Sequence, residues 1–331
     1  MTARRRGRAV RWLIAATVGS MTLTGCVNFP APEAPAPIAT AVLPIPPGAE
    51  TDVPTEPAPN LAACDATSTL RPDNPMPPPR QMPPRSTMDT IFRRGRLIVG
   101  LDIGSNPFSF RDPISGDIQG FDVDIAREIA GAIFGDPNRI EYRVLSSAER
   151  ISALQNDTVD AVVKTMSITC ERRRNVNFSA PYYVASQKIL VSRNSGITDV
   201  GGLVGKRVCS ARGTTSIGRM QAVQPRAKMV STTTWADCLV MLQQGQVDAV
   251  STDDAILAGL AAQDPWAVVV GPSMGEEYYG VGLPQGRDDM VRFVNGVLQT
   301  IRANGRWQQI YNQWLSILGP NYGPPQPIYR D

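Results

Sequence analysis

The sequence predicts an α/β protein, because strand-like and helix-like runs alternate over most of its length. The strand-like runs are short and apolar, whereas the helix-like runs place apolar residues three and four positions apart. This alternation is typical of mainly parallel sheets covered by helices. A first series contains strand-like runs at 96–101, 140–144, 160–165 and 188–192, with helix-like runs at 121–134 and 148–155. A second series contains strand-like runs at 207–210, 228–230 and 249–251, with helix-like runs at 216–223 and 235–244.

Residues 87–320 are enough for two modest domains. The last helix-like run carries Trp307, Tyr311 and Trp314 at spacings of four and three residues. Residues at that spacing lie on one face of a helix. We therefore expect these three aromatic side chains to make core contacts.

The first 25 residues have the composition of a signal peptide that is removed. Arginines precede an apolar stretch, Trp12–Leu23, which is too short to span a bilayer as a stable helix. The stretch runs into the sequence LTGC at 23–26, the pattern of a lipoprotein signal. We expect Cys26 to be diacylated, which supplies two acyl chains for stable anchoring. The sequence thus predicts a protein that is lipid-anchored to the cell membrane on its extracytoplasmic face.

Composition excludes several classes of function. Removing residues 1–25 takes away five arginines and no acidic residue, which changes the formal net charge from +3 to −2. The basic charge belongs to the signal peptide and gives no reason to expect nucleic-acid binding. The chain has no histidine, which excludes Ser-His-Asp and Cys-His catalysis and the usual histidine metal sites. We expect neither a metal nor a cofactor.

Four cysteines remain besides Cys26. An even number in an exported protein predicts two disulfides, for which three pairings are possible. We expect Cys209 to pair with Cys238, because the two lie on a predicted strand and a predicted helix about thirty residues apart. Cys64 would then pair with Cys170 and fix the end of the segment that precedes it.

That preceding segment, residues 26–86, differs in composition from the rest of the chain. Seventeen of the 29 prolines lie between Val27 and Arg85, with few aromatic residues and no sustained periodicity. Such a segment cannot bury enough apolar surface to fold alone. We expect an extended tether that holds the folded part clear of the membrane.

The run DAVVKTMSITCERRR at 160–174 points to a carboxylate site. Its apolar start is suited to a buried strand, and Thr165, Ser167 and Thr169 follow at alternate positions before Arg172. Arginine presents a planar fork of donors to a carboxylate, and small hydroxyls and backbone N–H groups satisfy the remaining lone pairs. Taken alone, the run is explained equally well by an ordinary strand end with solvated arginines.

Further blocks in the same order place this run in a family. They are GRLIVGLDIGSNPFSF (95–110), GFDVDIAREIA (120–130), GKRVCSARGTTS (205–216), VDAVSTDDAIL (247–257), YGVGL (279–283) and GRWQQIYNQW (305–314). Together with the run at 160–174, they resemble extracytoplasmic amino-acid-binding proteins of ABC uptake systems, the polar amino-acid family of solute-binding proteins. The likeness is particular to glutamine-binding lipoproteins of actinobacteria, especially mycobacteria.

The resemblance implies a two-domain, periplasmic-binding-protein-like fold of type II, in which two hinge strands cross between α/β domains. We place the crossings near 188–194 and 279–284. The first ligand-binding domain would then comprise residues 87–190 and 282–331, and the second residues 191–281. We expect a monomer.

The resemblance also implies where the charged groups of an amino acid bind, in a cleft at the carboxyl ends of strands. Arg172 matches the arginine that binds the α-carboxylate, with Thr165 and Ser167 at the matching hydroxyl positions. From the second domain, Thr214 and Thr215 would add a hydroxyl and backbone N–H groups at a helix start, where the dipole favours an anion. Helix capping alone would also explain these two threonines.

Two aspartates are candidates for binding the ammonium group. Asp253 matches the family position that commonly does so. Asp102, which follows the first predicted strand, is a second candidate, although a turn or capping role explains it nearly as well. Near Asp102 many relatives place an aromatic ring over the ligand, and here Phe108 is the nearest ring, at a position where a core role is more common.

The ligand side chain is expected to meet cations. Arg150 matches an arginine that relatives binding glutamate or aspartate direct at the distal carboxylate, with Ser147 near it. A buried Lys164 is costly without an anionic partner, so it either forms a salt bridge within the protein or helps to hold a ligand acid. Two cations besides Arg172 favour glutamate or aspartate, with asparagine or glutamine tolerated.

The resemblance implies a binding protein that delivers its ligand to an ABC permease and is not an enzyme. Two other functions use the same cleft. One is a sensor that reports amino-acid levels to a membrane partner. The other is catalysis of the kind carried out by exported cyclohexadienyl dehydratases, against which the extra cations argue.

Overall fold

The computed structural model describes residues 44–55, 64–321 and 323–330. The predicted signal peptide, Cys26 and the first part of the predicted tether lie outside the described residues. The strands in the described ranges are β1 (Ser68–Leu70), β2 (Leu97–Leu101), β3 (Gly104–Ser105), β4 (Ser109–Arg111), β5 (Ile118–Gln119), β6 (Ile140–Val144), β7 (Ala161–Val162), β8 (Asn177–Phe178), β9 (Tyr183–Ser192), β10 (Arg207–Ala211), β11 (Lys228–Thr232), β12 (Ala249–Asp253), β13 (Ala267–Val270), β14 (Glu276–Tyr279), β15 (Gly282–Leu283) and β16 (Ile328–Arg330). The α-helices there are α1 (Thr87–Arg94), α2 (Phe121–Phe134), α3 (Arg150–Gln155), α4 (Cys170–Arg173), α5 (Thr215–Val223), α6 (Trp235–Gln243), α7 (Asp254–Ala261), α8 (Asp288–Ala303) and α9 (Arg306–Trp314).

Five strands form a first sheet in the order β6-β2-β7-β15-β8. β2 runs parallel to β6 and β7, whereas β15 is antiparallel to β7 and β8. Helix α2 packs on β2 and buries apolar residues along most of its length. The predicted runs at 121–134 and 140–144 coincide with α2 and β6.

Six strands form a second sheet in the order β11-β10-β12-β9-β13, with β14 also paired to β9. β10, β11 and β12 are parallel to one another, and β9 is antiparallel to β12, β13 and β14. Helices α5, α6 and α7 follow β10, β11 and β12 along the chain and pack on this sheet. The α/β fold class predicted from the sequence is confirmed.

The chain passes between the two sheets twice, and the passages run side by side. The first four residues of β9, 183–186, pair with β14. Residues 187–192 of the same strand pair with β12 and β13 inside the second sheet. The first crossing therefore lies at residues 183–186, several residues before the predicted 188–194. β9 continues without a break from the crossing into the second sheet, so its sequence pattern does not mark where the partner changes. The second crossing runs through β14 and reaches the first sheet at Gly282, which overlaps the predicted 279–284. The described residues of both sheets belong to one compact unit, and the predicted domain boundaries stay a prediction.

The C-terminal helices α8 and α9 pack against α2, on the first sheet's side. Trp307 Nε1 donates to Tyr182 O at 2.8 Å, and Trp314 Nε1 donates to Asp124 Oδ2 at 2.7 Å. Trp307 and Tyr311 are buried, and Trp314 packs against the same core. The predicted core contacts of the three aromatic residues are confirmed. Across the described ranges, no helix is both long and apolar enough to cross a bilayer.

Aromatic rings fill the space where the chain crosses between the sheets. The Phe108 ring is fully buried, and its centroid lies 5.8 Å from that of Phe121, 5.3 Å from that of Tyr183 and 5.6 Å from that of Tyr279. Perpendicular ring contacts of this kind stabilise a core beyond the area they bury. The structure thus places Phe108 in the core, the more common role at this position, and its contact with the ligand stays a prediction.

Two parts of the predicted tether pack against the folded body. In residues 44–55, Glu50 exchanges backbone hydrogen bonds of 2.8 and 2.9 Å with Ser231, and its carboxylate lies 2.9 Å from Arg212. In residues 64–86, β1 pairs in parallel with β16. The expectation of an extended tether is therefore corrected for these residues. They do not fold alone, but they pack against the surface of the folded part of the protein.

Both expected disulfides are present. Cys64 pairs with Cys170, the first residue of α4, and Cys209 of β10 pairs with Cys238 of α6. The first disulfide fixes the tether residues beside the predicted carboxylate site, and the second lies in the core of the second sheet.

Candidate functional site

Residues that follow or end β7, β10 and β12 line one small cavity. The carboxyl ends of strands are the usual ligand position in α/β sheets. The space is about 10 Å³, which is about what one water occupies and far less than an amino acid needs. Both sheets supply its lining: Ser147, Arg150, Thr165, Ser167, Arg172, Thr214, Thr215, Ser216, Trp235, Thr252, Asp253 and Ile256. Of the predicted ligand residues, Asp102, Phe108 and Lys164 are missing from this lining.

Arg172 is buried in one wall of the cavity. The short helix α4 begins after Thr169, whose Oγ1 accepts the Arg172 backbone N–H at 3.1 Å and so caps the helix. The Arg172 guanidinium donates to Ser167 O at 2.8 Å and to Gly213 O at 3.1 Å. The predicted carboxylate-binding side chain is therefore held by backbone from both sides of the cavity.

Arg150 is more deeply buried, with 2% of its surface exposed. Its guanidinium donates to four backbone carbonyls, those of Ser147 (2.9 Å), Lys164 (3.1 Å), Thr165 (3.3 Å) and Gly213 (3.0 Å). Burial and the neighbouring Arg172 charge lower the pKa of Arg150 to about 9. The side chain thus stays charged at neutral pH, and two buried cations face one cavity.

Lys164 forms a salt bridge within the protein. Its Nζ lies 2.7 Å from Asp102 Oδ2. Asp102 also accepts hydrogen bonds from the Ile103 and Gly104 amides and from the Ser105 hydroxyl. Burial raises the pKa of Asp102, but the Lys164 charge and these donors outweigh it and hold the pKa below its ordinary value. Of the two alternatives for Lys164, the structure contains the internal ion pair, and a direct ligand contact of Lys164 or Asp102 stays a prediction.

Thr165 has a backbone conformation that side chains rarely adopt, with φ of +39°. Its amide donates to Asp122 Oδ2 at 2.9 Å, and the other Asp122 oxygen accepts from the Tyr182 hydroxyl at 2.7 Å. Strain of this kind persists only where the surroundings fix it, and it concentrates at functional sites. Burial raises the pKa of Asp122 to about 7 despite these two hydrogen bonds. Asp122 and Tyr182 are not in the lining, but their hydrogen bonds hold Thr165, which is. Their sequence positions do not reveal this role.

The opposite wall begins at Gly213. Its φ is +74°, and a Cβ there would lie 2.6 Å from the Ala148 Cα, so only glycine fits. Thr214 follows, and its Oγ1 donates to Ala211 O at 2.7 Å instead of capping α5. The first residues of the nine-residue helix α5 therefore line the cavity with a positive dipole end, which favours an anion.

Asp253 is the acidic residue of the cavity lining. One carboxylate oxygen accepts a hydrogen bond from the Tyr279 hydroxyl. The other, Oδ1, is buried and has no hydrogen-bond partner among the described residues. Asp253 precedes α7 but does not cap it. Burial and the nearby Glu277 carboxylate raise the pKa of Asp253 to about 8, outweighing the Tyr279 hydrogen bond. A buried oxygen without a partner costs free energy, and a cation that bound Oδ1 would offset that cost.

Four lining residues were not predicted: Ser216, Trp235, Thr252 and Ile256. Ser216 and Thr252 adjoin predicted residues, so that their neighbours in the sequence were a usable signal. Trp235 is the aromatic residue of the lining and begins α6 on the second sheet's side. Its sequence context is that of an ordinary helix start, which gives no indication of a ligand contact.

Comparison with known proteins identifies the family. The family model of bacterial extracellular solute-binding proteins, family 3, matches residues 97–317, and the chain belongs to this family. The ABC transporter glutamine-binding protein GlnH of Bacillus subtilis is 34% identical over 70% of this chain and 85% of that protein. A glutamine-binding protein of Geobacillus stearothermophilus is 39% identical over 60% of this chain and 76% of that protein. The glutamate-binding protein GluB of Corynebacterium glutamicum is 30% identical over 68% of this chain and 80% of that protein.

Solved structures share the fold. A crystal structure of a mutant of ArgBP from T. maritima has 31% identity and a TM-score of 0.64, covering 69% of this chain and 99% of that one. The ancestral amino-acid-binding protein AncCDT-1, described as a precursor of cyclohexadienyl dehydratase, has 31% identity and a TM-score of 0.63, covering 69% of this chain and 99% of that one. The resemblance expected from the sequence motifs is confirmed.

Proposed function

We propose that this protein binds a polar amino acid in the cavity and delivers it to an ABC permease, with glutamate or aspartate favoured and asparagine or glutamine tolerated. The observation that carries the proposal is the buried Oδ1 of Asp253, which has no hydrogen-bond partner in the described part of the chain and lies in the same cavity as buried Arg150 and Arg172. An α-amino acid offers an ammonium group to the carboxylate and a carboxylate to a guanidinium. A buried polar atom without a partner is costly, and a ligand ammonium at Asp253 Oδ1 would supply that partner.

Charge balance supports an acidic ligand. Lys164 and Asp102 neutralise each other, which leaves Arg150, Arg172 and Asp253 as the ionisable groups in the lining. Bound glutamate or aspartate would place one carboxylate at Arg172, the ammonium at Asp253 and the second carboxylate at Arg150. Each ligand carboxylate then meets a guanidinium and the ammonium meets Asp253, whereas an amide ligand brings no second negative charge to Arg150.

Binding would require the two sides of the cavity to move. Its lining comes from both sheets, and its present space fits about one water. An amino acid can enter only if the two sides separate and then close on it. A ligand shifts such an equilibrium by its difference in affinity for the two states. The paired segments 183–186 and 276–279 are the natural place for that motion.

Glutamine is the strongest competing ligand, because two of the relatives are named as glutamine-binding and reach 34% and 39% identity. A sensor function would use the same cavity. The dehydratase alternative is not favoured, since these relatives are named as binding proteins. An assay with prephenate or arogenate would reveal any conversion.

The ligand prediction is tested by a thermal-shift screen of the twenty amino acids, followed by calorimetry. Ligand at 100 times its Kd should add about 2.7 kcal/mol of stability. We expect the largest shifts with glutamate and aspartate and smaller ones with the two amides. A screen in which only aliphatic or basic amino acids raised the melting temperature would contradict the proposed ligand class.

We also propose that Cys26 is diacylated and holds the protein at the extracytoplasmic membrane face. The support is the LTGC sequence and the short apolar stretch before it. Fractionation of cells that express the native chain or Cys26→Ser should find the native chain with membranes and the variant released. Equal retention of the two would rule the lipid anchor out.

A further inference from the structure

Helix α7, on the second sheet's side, meets the first sheet's side at a glycine. Gly259 is buried on this helix. The Asn106 carbonyl lies so close that a Cβ on Gly259 would be 1.6 Å from its oxygen and 2.6 Å from its carbon. A Cβ is essentially never found within 3.0 Å of such an atom. The two backbones can therefore meet here only because the helix residue has no side chain.

Asn106 belongs to the frame of the first sheet's side. Two residues later, the Phe108 carbonyl accepts the Asp122 backbone N–H at 2.8 Å, in the first turn of α2. Helix α2 packs on β2 of the first sheet. The Asp122 carboxylate in turn accepts the backbone N–H of Thr165, which lines the cavity. The carbonyl that faces α7 is thus fixed to the same frame as one wall of the cavity.

Helix α7 carries part of the opposite wall. Asp253 immediately precedes the helix, and Ile256, three residues before Gly259, lines the cavity. The helix packs on β9, β12 and β13 of the second sheet. Residues three apart lie on the same face of a helix, so Ile256 and the contact with Asn106 share a face. The point at which Gly259 meets Asn106 therefore determines how close Asp253 comes to the first sheet's side.

The contact lies beside the strands that cross between the two sheets. The Phe108 ring, two residues from Asn106, packs against Tyr183 and Tyr279 of the crossing segments. Close to a hinge, a given displacement corresponds to a larger rotation than it does at the rim of a cleft. A single methyl group added at Gly259 would therefore hold the two sides apart by a large angle for its size.

We propose that Gly259 is the stop on which the two sides of the cavity close, and that its missing side chain sets the closed distance between Asp253 and Arg172. This inference rests on the proposed function and deepens it. Alanine at this position would leave separated sides undisturbed but keep them from closing fully on a ligand. Every amino acid would be affected alike, because its ammonium and α-carboxylate bridge Asp253 and Arg172. Gly259 lies outside the lining and is a positioning residue.

Stopped-flow tryptophan fluorescence with glutamate and with glutamine tests the stop, since Trp235 lines the cavity. Gly259→Ala should bind both ligands roughly 10- to 100-fold more weakly, because a misplacement of about 1 Å has effects of this size. The loss should lie in the dissociation rate, since the first encounter takes place with the sides apart. The preference between glutamate and glutamine should stay as in the native protein, because the displaced groups bind what the two ligands share.

Gly131→Ala is the matched control. Gly131 also lies within an α-helix, and the nearest neighbour of its Cβ among the described residues would be the Pro137 Cβ at 3.9 Å. Alanine favours a helix over glycine, so without ligand both variants should unfold at the native temperature or above it. The control should keep the native affinity and dissociation rate for both ligands.

Two results would overturn the inference. One is a Gly259→Ala protein that fails to fold, or that melts below the native protein without ligand, because the contact would then be permanent packing. The other is a folded Gly259→Ala protein with native dissociation rates for both ligands. If the native protein bound neither glutamate nor glutamine, the proposed function itself would fail instead.

Discussion

Arg172→Ala is expected to abolish measurable binding of every amino-acid ligand. All share the α-carboxylate, and the Arg172 guanidinium is buried in the cavity wall with contacts to Ser167 and Gly213. Removing one member of a buried charge pair typically costs about 2 to 5 kcal/mol, which weakens binding roughly 30- to 5,000-fold. Calorimetry with glutamate and with glutamine measures the loss.

The matched control is Arg174→Ala, which removes an exposed arginine from the same run. We expect it to bind glutamate like the native protein. Thermal unfolding of both variants separates lost binding from lost folding. If a folded Arg172→Ala protein bound glutamate within about threefold of the native Kd, another group would hold the α-carboxylate.

Asp253→Asn is expected to weaken binding by a similar amount and to remove its pH dependence. In the unliganded protein, burial and Glu277 raise the pKa of Asp253 to about 8, so the carboxyl is mostly protonated at pH 6.5. A ligand ammonium needs the ionised form, and its binding should release close to one proton. Affinity should therefore rise roughly tenfold between about pH 6 and pH 7 and level off as the pH passes about 8. Calorimetry at pH 6.5 in two buffers of different ionisation enthalpy counts the protons.

The raised pKa of Asp253 also sets how the stability of the folded protein depends on pH. The folded state binds this proton more tightly than the unfolded state, whose aspartate has its ordinary pKa near 4. This contribution to the free energy of unfolding is complete below about pH 4 and is lost as pH rises through about 8. Asp264→Asn is the control, because the Asp264 carboxylate lies outside the cavity lining and accepts from the Trp266 amide. Unchanged proton release in Asp253→Asn would assign the titration to another group.

Long periodic segments of the fold could be predicted from the sequence alone. Helix α2 and strand β6 begin and end where their patterns do, because each has an uninterrupted apolar period. Strand β9 shows the limit of this reasoning. Its pattern is continuous, yet its first four residues pair with β14 and the rest with β12 and β13. A change of partner leaves no mark in one strand's own sequence.

Site residues could be predicted where they belong to one sequence motif. They could not be predicted where the contact joins residues that are far apart in the sequence. The hydroxyl–arginine run led to Thr165, Ser167 and Arg172, all of which line the cavity. The ion pair of Lys164 joins residues 62 positions apart, and sequence chemistry could say only that a buried lysine needs an anion. The pairing of β1 with β16 joins residues about 260 positions apart, so the proline-rich composition around β1 concealed its ordered packing.

A crystal structure of the protein with bound glutamate tests the central claim most directly. We predict that the α-carboxylate lies within hydrogen-bond distance of the Arg172 guanidinium, the ammonium at Asp253 Oδ1, and the distal carboxylate at Arg150 and Ser147. The larger cavity of about 610 Å³ beside Arg71, Thr300 and Tyr329 should hold no glutamate. Glutamate bound there, or bound between the sheets with its α-carboxylate away from Arg172, would contradict this account of the site.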